Sequence, residues 1–430
     1  MSRRGPDGYT ILRQGRPRWR RGAGGLCCCL AVAALTACTS GSAAGAPPRA
    51  SSAVLLASLR SDLSRYLATR RQAEHISAVA LTVTFRGNQP AITMAAGTTR
   101  YGGGGPVSPD ALWQIGSNTK AFTAVMLLQL EAEGKLSITD TVGRWLPQYP
   151  AWRTITIKQL LDMTSGIPEY AAQPAFQSAL AAAPGTVFSA AQLVGYVGGA
   201  VTGDVWNYSG TNYILAQMII EKVTHDTYAD QLTRRIIIPL RLHSLCYAPY
   251  TCPAADAARM PAGYFFDTAV ANQVPDPLAR MLGTQVPPLA LTFAQGAGGI
   301  VSSLQDMTSW DRALYQGQLL PPAQQRQLES LVSTTTGRPI PGTTPADPSG
   351  YGLGVQEASS PSIGPVWNYE GETYGYRVLH FYFSRSGMII ALAANSGLGE
   401  DDLGDVNGDL GALAVSVYQA LQKTGAAQDS

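Results

Sequence analysis

Lysine is nearly absent from this chain: among 430 residues only Lys120, Lys135, Lys158, Lys222 and Lys423 occur, against many arginines. Histidine is as scarce. His75, His225, His243 and His380 are too scattered for the spacing of a zinc site, so no metal and no other cofactor is expected. Charged residues make up only 14% of the chain and apolar ones 45%, which fits a compact soluble enzyme better than a disordered or coiled-coil protein. The formal net charge is +2, and nothing in its distribution suggests a nucleic-acid surface. Beyond residue 38 only Cys246 and Cys252 remain, close enough to join in one small disulfide loop if the chain is exported. The apolar run from about Leu26 to Leu35 is too short to cross a bilayer as a mature helix.

That run is nevertheless informative. Residues 1–37 carry seven arginines and one aspartate, so the remainder of the chain is net negative. Arg13, Arg16, Arg18, Arg20 and Arg21 precede the apolar stretch, the order of an export signal. It ends in Leu35-Thr36-Ala37-Cys38, which resembles the lipobox of bacterial lipoproteins. The resemblance implies a signal peptide at 1–37, a lipid on Cys38, a linker at 38–52 and a domain at 53–425 held at a membrane surface of the bacterial envelope, outside the cytoplasm. Ordinary cleavage without lipid is the alternative.

Periodicity then predicts an amphipathic helix from Ala53 to Gln72, strands at Val79–Phe85 and Ala91–Ala96, and a hairpin of Tyr376–Phe383 with Met388–Ala394. A last helix is expected from about Asp405 to Gln422. The stretch from about 135 to 291 reads as helices and loops without strand pairs. Strands near both ends with helices between them predict an α+β fold: an antiparallel sheet flanked by N- and C-terminal helices, with an inserted, mainly helical lobe.

Lysine scarcity gives Ser117-Asn118-Thr119-Lys120 its weight, since no other lysine has a serine three residues before it. The apolar run from Ala121 to Leu128 makes a buried helix, on which positions three apart share a face. A serine hydroxyl becomes a useful nucleophile when an adjacent base takes its proton, and a desolvated lysine can be that base. The plainer reading is a helix cap.

Further motifs stand in order along the chain. They are Leu160-Leu161-Asp162-Met163-Thr164-Ser165-Gly166-Ile167-Pro168, then Trp206-Asn207-Tyr208-Ser209-Gly210-Thr211-Asn212-Tyr213, then Gly298-Gly299-Ile300-Val301-Ser302-Ser303. Together with Ser117-x-x-Lys120 they resemble the penicillin-recognising serine hydrolases, in particular the branch of class C β-lactamases, D-alanyl-D-alanine carboxypeptidases and related esterases. The resemblance implies that Ser117 forms an acyl-enzyme while Lys120 and Tyr208 relay its proton. Ser165 has no lysine three residues on and reads as a loop residue, and Tyr213 reads as an aromatic pinning a helix start.

The third motif of that family, Lys-Thr-Gly or His-x-Gly on a strand, is altered here. A literal Lys423-Thr424-Gly425 trails the last helix and is rejected as a tail. Tyr369-Glu370-Gly371-Glu372-Thr373-Tyr374-Gly375-Tyr376 matches better in position. Tyr369 then stands where relatives put a cation, Gly371 keeps the motif's glycine, and the Glu372 and Ser117 amides form the oxyanion hole, a donor worth about 3 kcal/mol. Gly210 replaces an asparagine that grips the acyl side chain. Glu370 and Glu372 are expected to add negative charge at the site, and Arg377 offsets it only if it turns inward. These departures predict an esterase-like hydrolase of neutral or cationic ester or amide substrates, weak on β-lactams. Rival readings are a D-alanyl-D-alanine carboxypeptidase or β-lactamase, and a non-catalytic binding or sensor lipoprotein. Asp405-Val406-Asn407-Gly408-Asp409 opens like a calcium loop but lacks its later glycine and glutamate, and His380 reads as a packed core residue.

Overall fold

The computed structural model describes residues 52–426 apart from 88, 204, 267–269, 272–275 and 398–408. The expected leader, Cys38, nearly all of the linker and Asp405 to Gly408 lie outside the described residues. Among the described residues five helices have twelve residues or more: α1 (Ser52–Glu74), α2 (Thr119–Ala132), α3 (Gly210–Thr224), α4 (Leu304–Tyr315) and α5 (Asp409–Lys423). The N-terminal strands are β1 (Ala78–Thr84), β2 (Ile92–Arg100), β3 (Gly103–Pro106) and β4 (Leu112–Gln114). The middle of the chain supplies β5 (Leu245–Tyr247), β6 (Tyr264–Phe265) and β7 (Ile300–Ser303). The C-terminal third supplies β8 (Leu331–Ser333), β9 (Pro339–Ile340), β10 (Ser349–Tyr351), β11 (Gln356–Ser360), β12 (Gly364–Thr373), β13 (Tyr376–Phe383), β14 (Met388–Ala394) and β15 (Ser396–Gly397).

Ten of these form one antiparallel sheet in the order β3-β2-β1-β14-β13-β12-β11-β10-β8-β9. Strands from the two ends of the chain meet where β1 pairs with β14. The central strands β13 and β14 are buried along their whole length, because helices cover both faces of the sheet. On one face α1 lays down Leu55, Leu59, Leu63 and Tyr66, and α5 lays down Leu410, Leu413, Val417 and Leu421, each set at helical spacing. They pack on Val79, Leu81, Leu379, Phe381, Ile390 and Leu392. The opposite face carries α4 and the helical lobe, with the Trp310 ring stacked 3.6 Å from Phe122 of α2.

Two expectations change. Among the described residues the segment 135–291 pairs no two of its own strands, but it is not only helix and loop: β5 pairs with β7 in a small sheet of order β4-β7-β5, and β6 runs parallel to β15, both partners lying outside the segment. Strands β5 and β6 are three and two residues long, too short to leave a readable alternation. The Gly298–Ser303 segment enters this small sheet through β7.

The second change concerns charge. Glu372 lies opposite Arg377, and Glu370 opposite Leu379, in the β12–β13 register. Directly opposed residues share a face, and this one belongs to α1 and α5. Arg377 is 1% exposed there, donating to the Ser396 carbonyl at 2.9 Å, the Tyr66 hydroxyl at 3.2 Å and the Glu74 carboxylate at 3.2 Å. Neither Arg377 nor the side chains of Glu370 and Glu372 therefore reach the site side of the sheet. Removing one partner of a buried ion pair strands the other charge. Glu74→Ala is expected to lower unfolding stability by about 3–5 kcal/mol in urea titrations. Glu74→Ala combined with Arg377→Met should recover much of that loss; an equally unstable double variant would refute the account.

Candidate active site

The turn that carries Ser117 is a 3-10 turn, Gly116–Asn118, running directly into α2. Gly116 takes a positive φ of 49°, and a side chain built on it would lie 2.5 Å from the Glu372 carbonyl oxygen and 2.6 Å from the Glu372 nitrogen. A side chain on Gly371 would lie 2.0 Å from the Ile115 carbonyl. The two glycines let the turn press backbone to backbone on β12, which brings the Glu372 amide beside Ser117. No side-chain cap hydrogen bond is made at the start of α2. The Ser117 hydroxyl instead accepts from Lys120 Nζ at 2.8 Å, and Lys120 also donates to the Ala297 carbonyl at 2.9 Å. Lys120 is 2% exposed while Ser117 is half-buried, so the amine is desolvated and the hydroxyl is reachable.

Tyr208 precedes α3. Lys120 Nζ lies over its ring, 4.8 Å from the centroid, within cation–π range. The Tyr208 hydroxyl is 3.1 Å from that of Tyr369, which in turn is 2.8 Å from that of Tyr351. The structure thus brings Ser117, Lys120, Tyr208, Tyr369, Gly371 and the Glu372 amide to one place. Tyr213 is fully buried and donates to the Leu161 carbonyl at 2.7 Å. Ser165 is buried, donating to Asn212 at 2.7 Å and accepting from the Ile167 amide, which leaves it a loop clamp. Lys423 closes α5 against the far face of the sheet, and Thr424 turns back on the Ala420 carbonyl. Cys246 and Cys252 form a disulfide at β5.

Glu169 was missed by motif reading. Its carboxylate accepts from the Gly210 and Ala171 amides, and a side chain on Gly210 would stand 3.1 Å from it. Glu169 thus occupies the space opened by the missing asparagine. Burial pushes its carboxyl up, while the amides of Ala171 and Gly210 and the charge of Lys120 pull it back. Its position directly after Ile167-Pro168, with glycine at 210, was the available signal.

Behind the turn, Asn118 donates through Nδ2 to the carbonyls of Ile115 at 3.0 Å and Val378 at 2.8 Å. Its Oδ1 therefore accepts from His380 Nδ1 at 3.0 Å, leaving Nε2 to accept from the Tyr315 hydroxyl at 3.0 Å. Asp311 approaches His380 at 3.6 Å, and neither of its carboxyl oxygens has a hydrogen-bond partner among the described residues. Burial holds His380 down to about 3 and pushes Asp311 well above the carboxylate range. Both are neutral in the fold.

Between the ordinary carboxylate range and 6.5 the unfolded chain holds this proton on the imidazole and the folded one holds it on the carboxyl, so the pair adds no pH slope. In Asp311→Asn only the histidine remains, and its contribution, complete above pH 6.5, is lost on acidification towards about 3. The variant should lose about 1.4 kcal/mol of stability per pH unit relative to wild type as pH falls from 6.5 to the ordinary carboxylate range. Parallel stability–pH curves would exclude the neutral pair.

The family model described as Beta-lactamase matches residues 63–413. Penicillin-binding protein 4* of Bacillus subtilis (strain 168) is 28% identical over 277 residues, covering 64% of this chain; the chain spans only 58% of that protein's length. A D-stereospecific amidohydrolase from Streptomyces sp. superposes with a TM-score of 0.64 at 28% identity, over 83% of this chain and 97% of that one. The D-amino acid amidase from Ochrobactrum anthropi SV3, complexed with D-phenylalanine, gives 0.69 at 22% identity, over 86% and 99%.

Proposed function

The chain belongs to the β-lactamase family of serine hydrolases, and from that premise we propose that it cleaves esters and amides through an acyl-enzyme on Ser117. The observation that carries this reading is the 2.8 Å hydrogen bond from a buried Lys120 to a reachable Ser117 hydroxyl. Ser117 Oγ attacks the carbonyl carbon and its proton passes to the Lys120–Tyr208 pair. The developing oxyanion is received by the amides of Ser117 and Glu372, and the relayed proton leaves with the departing alcohol or amine. A pure binding module needs none of the three reactive groups.

Substrate preference follows from charge on the site side of the sheet. Tyr369 offers no cation to a substrate carboxylate, and Glu169 places a carboxyl group beside Gly210. Glu370 and Glu372 no longer bear on the question. The supported substrates are neutral acyl groups and those with an amine near the scissile carbonyl. The amidohydrolase and amidase named above are consistent with an amine of that kind. Esters should be turned over faster than β-lactams.

A fluorophosphonate should label the wild-type protein, and Ser117→Ala and Lys120→Met should not be labelled. Butyryl esters and D-amino-acid amides should outpace a cephalosporin reporter, and Glu169→Gln should raise KM for the amides more than for butyryl esters. A cephalosporin rate matching that of the esters would reverse the preference, and wild-type protein resisting the probe would favour a sensor.

We also propose that the domain is tethered outside the cytoplasm by a lipid on Cys38. The lipobox-like Leu35–Cys38 and the Cys246–Cys252 disulfide, suited to an oxidising compartment, support this. Cys38→Ala should move the protein from the membrane to the soluble fraction on cell fractionation; unchanged membrane association would exclude the lipid.

A further inference from the structure

Tyr369 is buried at 3% exposure and Tyr351 at 1%. The two hydroxyls lie 2.8 Å apart, and Tyr369 reaches Tyr208 at 3.1 Å, so three phenols are strung in one line that ends beside Lys120. The line is held by ring packing. Tyr351 stands edge-on to Tyr208 at 6.3 Å, to Trp206 at 5.8 Å and to Tyr369 at 6.1 Å. Each hydroxyl has one proton to give and two lone pairs to receive. Burial and the neighbouring phenols push Tyr369 and Tyr351 well above the ordinary phenol range, so both keep their protons. Once Tyr208 has given up its own proton, only one direction of donation remains: Tyr351 to Tyr369, and Tyr369 to Tyr208.

We propose that Tyr369 is a positioning residue that acts through Tyr208, donating a hydrogen bond to the Tyr208 oxygen while Tyr351 donates to Tyr369 in turn. Two neutral phenols then stabilise the deprotonated base where a lysine or histidine would do so by charge. The inference rests on the reading of Tyr208 as a proton carrier. During acylation the Ser117 O–H bond breaks as the Oγ–carbon bond forms, and the proton goes to the Tyr208 oxygen. It leaves with the departing alcohol or amine when that group's bond to carbon breaks. The two supporting phenols keep their protons throughout. A donor without charge holds the base and attracts no substrate carboxylate, which fits a site that takes neutral or amine-bearing acyl groups.

The test uses the full-length protein and the rate of fluorophosphonate labelling as a function of pH, with circular dichroism to establish folding. Tyr208→Phe should slow labelling at every pH. Tyr369→Phe should slow it roughly tenfold or more, since a hydrogen bond to a charged group is lost. Its acid limb should also move up by about one pH unit, because the deprotonated Tyr208 is less well stabilised. Tyr351→Phe should shift the limb the same way by less, and Tyr369→His, which restores a donor, should recover most of the rate. If Tyr208→Phe is impaired while Tyr369→Phe keeps the wild-type limb, the inference falls and the catalytic reading stands, even if the rate drops evenly at all pH. If Tyr208→Phe labels like wild type, the reading falls and the inference with it. Should Tyr369→Phe fail to fold, the limb of Tyr351→Phe decides, and an unmoved limb there overturns the proposal.

Discussion

The site depends on one backbone contact, the passage of the Ser117 turn against β12. A side chain at Gly371 would overlap the Ile115 carbonyl, and one at Gly116 would overlap the Glu372 peptide. Two chain segments more than 250 residues apart in sequence can approach this closely only because both lack a β-carbon at the crossing. The Glu372 amide reaches Ser117 by that route, and Asn118 then fastens the turn to the Val378 carbonyl on the next strand. Helix α2 leaves from the same turn and carries Lys120 back onto the Ser117 hydroxyl.

The sheet separates two kinds of buried polarity. On the face under α1 and α5, Arg377 is charged and paired, held by Glu74 with help from Tyr66 and the Ser396 carbonyl. On the site face the deep groups are neutral: Asp311, His380, Tyr351 and Tyr369. Burial penalises charge, and each of these groups keeps or lacks its proton so as to avoid it. Beside Ser117 the same face holds the Lys120 amine, and next to Gly210 the Glu169 carboxyl, which burial pushes up while the Ala171 and Gly210 amides and Lys120 pull it back.

Motif reading matched the structure where the pattern is local. Ser117 and Lys120 sit one turn apart on a helix whose apolar run announces it, and the hairpin Tyr376–Phe383 with Met388–Ala394 has the limits its residues suggest. It failed where facing decides. Strand alternation says that Glu370 and Glu372 share a side but not which side, and the answer came from the pairing with Arg377 and Leu379. Short strands such as β5 and β6 escaped because two or three residues carry no period.

By itself the order of residues picked out the candidate reactive set, since a lone Ser-x-x-Lys pair, a Tyr208 motif and the glycines of the altered third motif are properties of neighbours along the chain. Only the tertiary structure decided what surrounds that set. Whether Tyr369 reaches Tyr208, whether Glu169 fills the space beside Gly210 and whether Arg377 faces inward are questions about segments far apart in sequence. Their answers are set by strand register and by which face each helix covers, and both of these emerge only when the two ends of the chain close into a single sheet.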